Sequence, residues 1–531
     1  MGAPGGPPPG PFKILAINDY IPEKIKPWIF ILLVCVVQFA GSGVYLSTMN
    51  ESSSDLALMR EDIMMAGFAG MAGMALYFTI MLRVKFRLPT KPSLLICFAA
   101  LVIANIICLK TDNLFILIIT CFFAGIFRMW ATFECNSTLQ LWITPNRDMP
   151  IFFCYVYLIV NSAILLGSGG QLYISLFSNW MYVNYTVIAL LLIMMLVIIF
   201  IFNSRRFMPF MPLLGVDWLG ALLWGLILLN VNFICIYGDY FDWWSSNEIQ
   251  IATGTLIGLL ALNLLRASFI RHPYISLQTF KYKPVIHTLL LYLAVDIFVS
   301  PSHLLEHIYF EEVLGYDTQH MIYVNIISWS GIVVGSLFTW RYFAIAKNSF
   351  KSTFIIGFLG LLSYQIMMYF FVDASTSKEY FAIPLFLRNF GYVTMGIVMI
   401  SELMKVPFPH FFQALSVQMF MSAACGSSIG VAVLTYFFKW KTAENFQFIS
   451  SGIDSVNENL TRYSHQQLEH TLEIQTLVMS FKELYGYLSI AAIVFLLILI
   501  LYRYPYLPTK MIFPKWKSWK KIMKKDLVKS N

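Results

Sequence analysis

The sequence predicts an all-α polytopic membrane protein with fourteen spanning helices and both termini in the cytoplasm. Three observations carry that reading. Of 531 residues, 58% are apolar and 12% charged; soluble chains run about 25% charged and could not hide so much apolar surface. Apolar runs of about 20 residues, the length a bilayer core demands, recur along the chain. Lysine and arginine fall between these runs, with a strong bias to alternate segments. Extensive disorder is excluded as well, because disorder goes with low hydrophobicity.

In chain order, residues 1–12 (MGAPGGPPPGPF) are Gly/Pro-rich and expected to be disordered, within a cytoplasmic N-terminus of 1–26. No cleavable leader is expected, since 26 residues precede the first apolar run and no small-residue cleavage pattern follows it. The first six runs, 27–48, 63–82, 93–109, 114–143, 151–177 and 183–203, make a bundle over 27–203. Residues 204–283 hold a cytoplasmic elbow (SRRFMPFMPL, 204–213) and two linker helices, 214–236 and 248–265. The last six runs, 284–305, 320–340, 353–371, 380–403, 409–437 and 483–503, make a second bundle over 284–503. The longest loop, 438–482, faces outward, and its part from about Ser464 to Glu483 has helix formers and few breakers, so it extends the last helix. The basic tail 504–531 carries Trp516 and Trp519; it fits either a solvated tail or an amphipathic segment on anionic lipid.

An even number of spans puts both termini on one side. With the N-terminus inside, twenty-seven of the 36 Lys and Arg lie in inner segments, seven in outer ones, and Arg128 and Arg388 within spans. The positive-inside rule then places both termini in the cytoplasm. The net charge of +8 is thus a topology signal; no basic, aromatic-bearing face on a soluble domain points to nucleic acid. The eight cysteines all fall in apolar runs without a CxxC partner, as small buried apolar residues do, and suggest neither a disulfide framework nor a metal site. No P-loop, GxSxG, HExxH or dinucleotide-binding pattern occurs in a suitable context. No enzyme activity and no cofactor are therefore expected, and transport would run on an ion gradient.

The seventh and eighth spans carry the most specific motifs: GVDWLGALLWG (215–225), FDWWSSNEI (241–249) and IRHPYISLQTFKYK (270–283). With FEEVLGYD (310–317), QALSVQMF (413–420) and the long outer loop before the last span, the chain resembles the fourteen-span drug:proton antiporters of the major facilitator superfamily, the EmrB-type pumps. The resemblance covers nearly the whole chain. It implies two six-helix bundles related by pseudo-symmetry, a bacterial inner membrane, and partners comprising a periplasmic membrane-fusion adaptor and an outer-membrane channel, with 438–482 as the docking element. The departures are specific. Gly41 stands where the family has an Asp and Cys121 where it has an Arg; LRVKFRLPTK (82–91) lacks an acid, and GSGG (167–170) lacks a proline. The family's coupling residues therefore do not carry over to the first half.

Ionisable groups within a membrane are costly and mark function by default. Arg128 in span 4 is a candidate to line the central cavity, in place of the missing family Arg. Glu134 lies six residues on, 240° round the helix at 100° per residue, and so on another face. Asp296 sits mid-span 9, with His303 and His307 close to its helical line and Glu306 off it. A membrane carboxylate can exchange a proton and histidine titrates near neutrality, which suggests a relay toward the outer side; the competing reading leaves the two histidines and Glu306 wet at the interface. Arg388 and Asn389, with Gly391 and Gly396 in span 12, resemble the family's fourth-helix pattern, as repeats would. Glu402 is expected at the cytoplasmic interface. Asn161, Gln413 and Gln418 are polar groups on spans 5 and 13, suited to the cavity or to interhelical hydrogen bonding.

These readings converge on a secondary transporter that binds a lipophilic small molecule between the bundles and exports it by proton antiport with alternating access. Two alternatives stand beside it: an uncoupled or differently coupled organic-anion carrier with Arg128 and Arg388 as the anion site, and a non-transporting membrane sensor or scaffold.

Overall fold

The computed structural model describes residues 14, 16–204, 215–302, 305–452 and 465–502. Thirteen helices among them are long and apolar enough to cross a membrane, and the 15-residue helix Lys26–Ala40 adds a shorter apolar one. Numbered in chain order, they are α1 (Lys26–Ala40), α2 (Arg60–Arg87), α3 (Thr90–Lys110), α4 (Leu114–Ile143), α5 (Met149–Phe177) and α6 (Met181–Ile201); α7 (Trp218–Tyr237) and α8 (Asn247–Phe269); and α9 (Lys283–Val299), α10 (Thr318–Thr339), α11 (Phe350–Phe371), α12 (Ala382–Glu402), α13 (Phe408–Ser450, with a π-turn at Phe420–Cys425) and α14 (His465–Leu501). They follow the fourteen apolar runs one for one, and the protein is a multi-pass membrane protein.

The helix ends obey local chemistry. Asn113 caps α4 by accepting from the Phe115 amide at 3.0 Å, and Asp217 caps α7 by accepting from the Gly220 amide at 2.9 Å, which satisfies donors a helix cannot satisfy itself. Proline opens α1, α5, α9 and α13 within the first turn, where its missing N–H costs nothing. The lipid-facing side is apolar: Phe269 is 86% and Leu501 80% exposed, a pattern that only a hydrocarbon surround tolerates.

Small residues let the helices approach. A Cβ on Gly125 of α4 would strike the Gly70 carbonyl oxygen of α2, and one on Gly73 would strike that of Phe122. The second half repeats the device: Gly331 of α10 faces the Phe386 carbonyl of α12, and Gly391 of α12 faces that of Gly357 in α11. Between the halves, α5 packs on α10 and α2 on α13. Helix α7 packs on α2 and α13, and α8 packs on α7.

Three features depart from the sequence reading. Helix α1 stops at Ala40 rather than running to 48, because Gly41 takes φ +57°, a region that favours glycine; a lateral helix, Met49–Leu56, follows. Span 9 is broken: α9 ends at Val299, a 3₁₀ turn with Pro301 follows, then Leu305–Ile308 and a π-turn at Tyr309–Val313. The region 438–482 is helical in its described part except at Ser451 and Gly452; the extension of the last helix from His465 agrees with expectation. Residues 1–13, the elbow from 205 to 214 and the tail from 503 onward lie outside the described residues.

Candidate functional site

A cavity of about 2300 Å³ opens between the two halves, lined by α1, α2, α4 and α5 from the first and by α9, α10, α12 and α13 from the second. Arg128, Asn161, Asp296, Arg388 and Asn389 line it; Glu134 and Gln418 do not. Asn161 and Asn389 spend their amide N–H on the carbonyl four residues back, Tyr157 at 3.0 Å and Leu385 at 3.1 Å, so each offers the cavity chiefly its amide oxygen.

In the second half, Asp296 is 6% exposed and its Oδ2 has no hydrogen-bond partner among the described residues. That oxygen abuts Gly426, where any Cβ would collide with it. The π-turn at Phe420–Cys425 ends beside Gly426, and π-turns gather at functional sites. Nearby, Gln418 donates to the Tyr292 hydroxyl at 2.7 Å, and the Tyr292 and Tyr157 hydroxyls are 3.4 Å apart. Gln418 thus acts behind the cavity wall, and Tyr157 of α5 carries the cluster across to the first half.

Arg388 forms a buried ion pair with Glu306, and its Nη2 donates to Ser328 at 3.2 Å. The Tyr364 hydroxyl donates to Glu306 Oε1 at 2.6 Å, and the Arg388 guanidinium lies over the Tyr364 ring at 5.8 Å. Three expectations change. Glu306 is buried, not wet, because the break in span 9 turns it inward. Arg388 is already neutralised, so it cannot be half of an anion site as it stands. The relay along one helical line also fails: it assumed an unbroken helix past Val299. His303 lies outside the described residues. His307 pairs with Glu311 at 3.1 Å, and Asn50 of the lateral helix donates to the same carboxylate at 3.4 Å, joining the halves at that mouth. Glu402, the last residue of α12, is buried and paired with Lys405.

In the first half, Arg128 donates through Nε and Nη2 to Gln38 Oε1 at 3.1 and 2.7 Å, and Gln38 donates onward to Thr132 at 2.8 Å. Arg128 has no carboxylate partner among the described residues. Glu134, fully buried on the other face of α4 as the helix angle required, takes Lys85 at 2.6 Å.

The motif residues of the linker helices do structural work. Asp217 takes Arg266 of α8 at 2.6 Å and the Tyr274 amide at 3.3 Å, and Gln413 at the start of α13 accepts from Thr279 at 2.8 Å. They tie the stretch after α8, at Tyr274 and Thr279, to α7 and α13.

No protein-family model matches the chain, and no curated protein matches its sequence. Solved structures do resemble it. A mutant of the peptide transporter POT in complex with alafosfalin aligns over 92% of this chain and 96% of its own at 13% identity, with a TM-score of 0.58. An auto-inhibited POT family peptide transporter aligns over 91% and 100% at 12% identity, with a TM-score of 0.52. A mutant of the nucleoside transporter NupG aligns over 88% and 99% at 12% identity, with a TM-score of 0.51. The chain shares the fold of these transporter structures.

Two helices carry a buried arginine, and each is held by a residue of another segment: Arg128 of α4 by Gln38 of α1, and Arg388 of α12 by Glu306 just beyond α9. Sequence reading passed over Gln38, although a glutamine within an apolar run is the kind of signal that flagged Gln418. Tyr157 and Tyr292 carried no such signal among 28 tyrosines.

Proposed function

We propose that the protein is a secondary active transporter that exports lipophilic small molecules from the cytoplasm through the central cavity, linked to protons at Asp296. One observation carries the reading: a carboxylate is buried in the cavity wall, lacks a cation, and leaves Oδ2 without a partner. Such a group is costly in a bilayer unless it can take up a proton or a substrate cation. The apolar lining, including Met74, Phe78, Met129 and Phe133, suits a lipophilic cargo, and alternating exposure by rocking suits the fold. The lysine and arginine bias supports cytoplasmic termini. In inside-out vesicles, an imposed pH gradient is expected to drive flux in the wild type and not in Asp296→Asn. Flux that ignores the gradient and survives the substitution would remove the proton from the mechanism.

The resemblance to EmrB-type pumps supports a bacterial inner membrane, and an adaptor docked between α13 and α14. Deleting 453–464 is expected to lower co-purification of a membrane-fusion adaptor from cells; unchanged recovery rejects that partner.

A further inference from the structure

Arg128, in the first half of the cavity, has no carboxylate partner among the described residues. Arg128 is 9% exposed and lines the cavity, and its recorded partners are the side-chain and backbone oxygens of Gln38. A guanidinium remains charged in any protein setting, and a buried charge held only by neutral groups is strongly unfavourable. The opposite half shows what full neutralisation looks like: there Arg388 has Glu306. Gln38 orients Arg128 through two bonds to one oxygen, leaving its charge for something else.

The two ends of the cavity differ in sign. Arg87 and Arg147, each with a partner of its own, line one end. At the other, Glu61, Glu311, Glu312 and Asp317 outnumber Arg60 and His307. The basic end follows from the positive-inside rule, but the acidic end does not, since Asp and Glu contribute little to that rule. Such a gradient draws an anion in at one end and repels it after release at the other.

Resting on the transport reading above, we propose that Arg128 is the anion-binding residue of this cavity and that the cargo is a small organic anion, a carboxylate or sulfonate on an apolar body. The anion completes the ion pair that Gln38 leaves open, and the apolar wall takes the rest.

The test uses the full-length protein in detergent and three probes with one aromatic body: 1-naphthoate, its neutral amide 1-naphthamide, and 1-naphthylmethylammonium. Calorimetric titration of the wild type is expected to give naphthoate at least tenfold tighter binding than the other two. Arg128→Gln is expected to abolish the preference and Arg128→Lys to retain part of it. Gln38→Glu keeps Arg128 but hands it an internal carboxylate, as in the other half, and is also expected to abolish the preference; it keeps the test decisive if Arg128→Gln does not fold. Equal binding of the three probes by the wild type, or wild-type naphthoate affinity in Gln38→Glu, overturns the assignment. Naphthoate selectivity without flux in vesicles overturns the transport reading alone, and flux of 1-naphthamide without naphthoate selectivity overturns the anion assignment alone.

Discussion

Glu306→Ala is expected to destabilise the protein more than Arg388→Ala, although the two remove opposite ends of one ion pair. Losing one partner of a buried pair costs about 3–5 kcal/mol, because a charge is left stranded. The stranded groups differ. Without Arg388, Glu306 can take up a proton and keep its bond from Tyr364. Without Glu306, Arg388 cannot shed its charge, and it retains only Ser328 and the face of Tyr364. Glu306→Gln is expected to be the mildest, since it recreates the amide–guanidinium contact that Gln38 and Arg128 already make in the other half. Thermal unfolding of purified full-length variants, with wild type alongside, checks the order. An Glu306→Ala melting point equal to wild type would show that the pair contributes nothing to stability.

Gly125→Ala is expected to prevent assembly of the first bundle, through a single methyl. Its Cβ would run into the Gly70 backbone carbonyl, which has no rotamer to yield, so α2 and α4 would have to separate. Overpacking usually costs about 1–3 kcal/mol; a backbone-on-backbone clash at a long helix crossing belongs at or beyond the upper end. Gly254→Ala in α8 is the control, because nothing lies within 4 Å of the new methyl. Alanine is a better helix former than glycine by about 1 kcal/mol, so that variant is expected to be neutral or slightly stabilised. The readout is the yield of monodisperse protein on size exclusion. Equal yields from the two variants would mean that α2 and α4 do not need their close contact.

The membrane-spanning elements were legible because one cause produces both the sequence signal and the structure. Hydrocarbon forces backbone groups to pair within the helix and side chains to be apolar over a bilayer's thickness, so each span is written locally as a run of apolar residues. Arg128, Asp296 and Arg388 were legible for the same reason, as costly exceptions. Glu134 was correctly set on another face than Arg128 by helix geometry alone.

Partners were not legible. Glu306 was expected at the interface because an unbroken helix would carry it there; the turn around Pro301 brings it to Arg388 instead. Gln418 was a cavity candidate, and only packing shows that it serves Tyr292 from behind the wall. Gln38 was passed over because its importance lies in its position opposite an arginine ninety residues away.

Sequence by itself determined the class of the molecule, the number and order of its helices and which charges fall within the apolar helices, because each follows from the composition of a contiguous stretch. Tertiary structure alone decided that Arg388 is neutralised while Arg128 is not, and that Asp296 lines the cavity with an oxygen unpartnered. Those facts depend on which side chains meet across helices far apart in the chain, and no local run of residues encodes such a meeting.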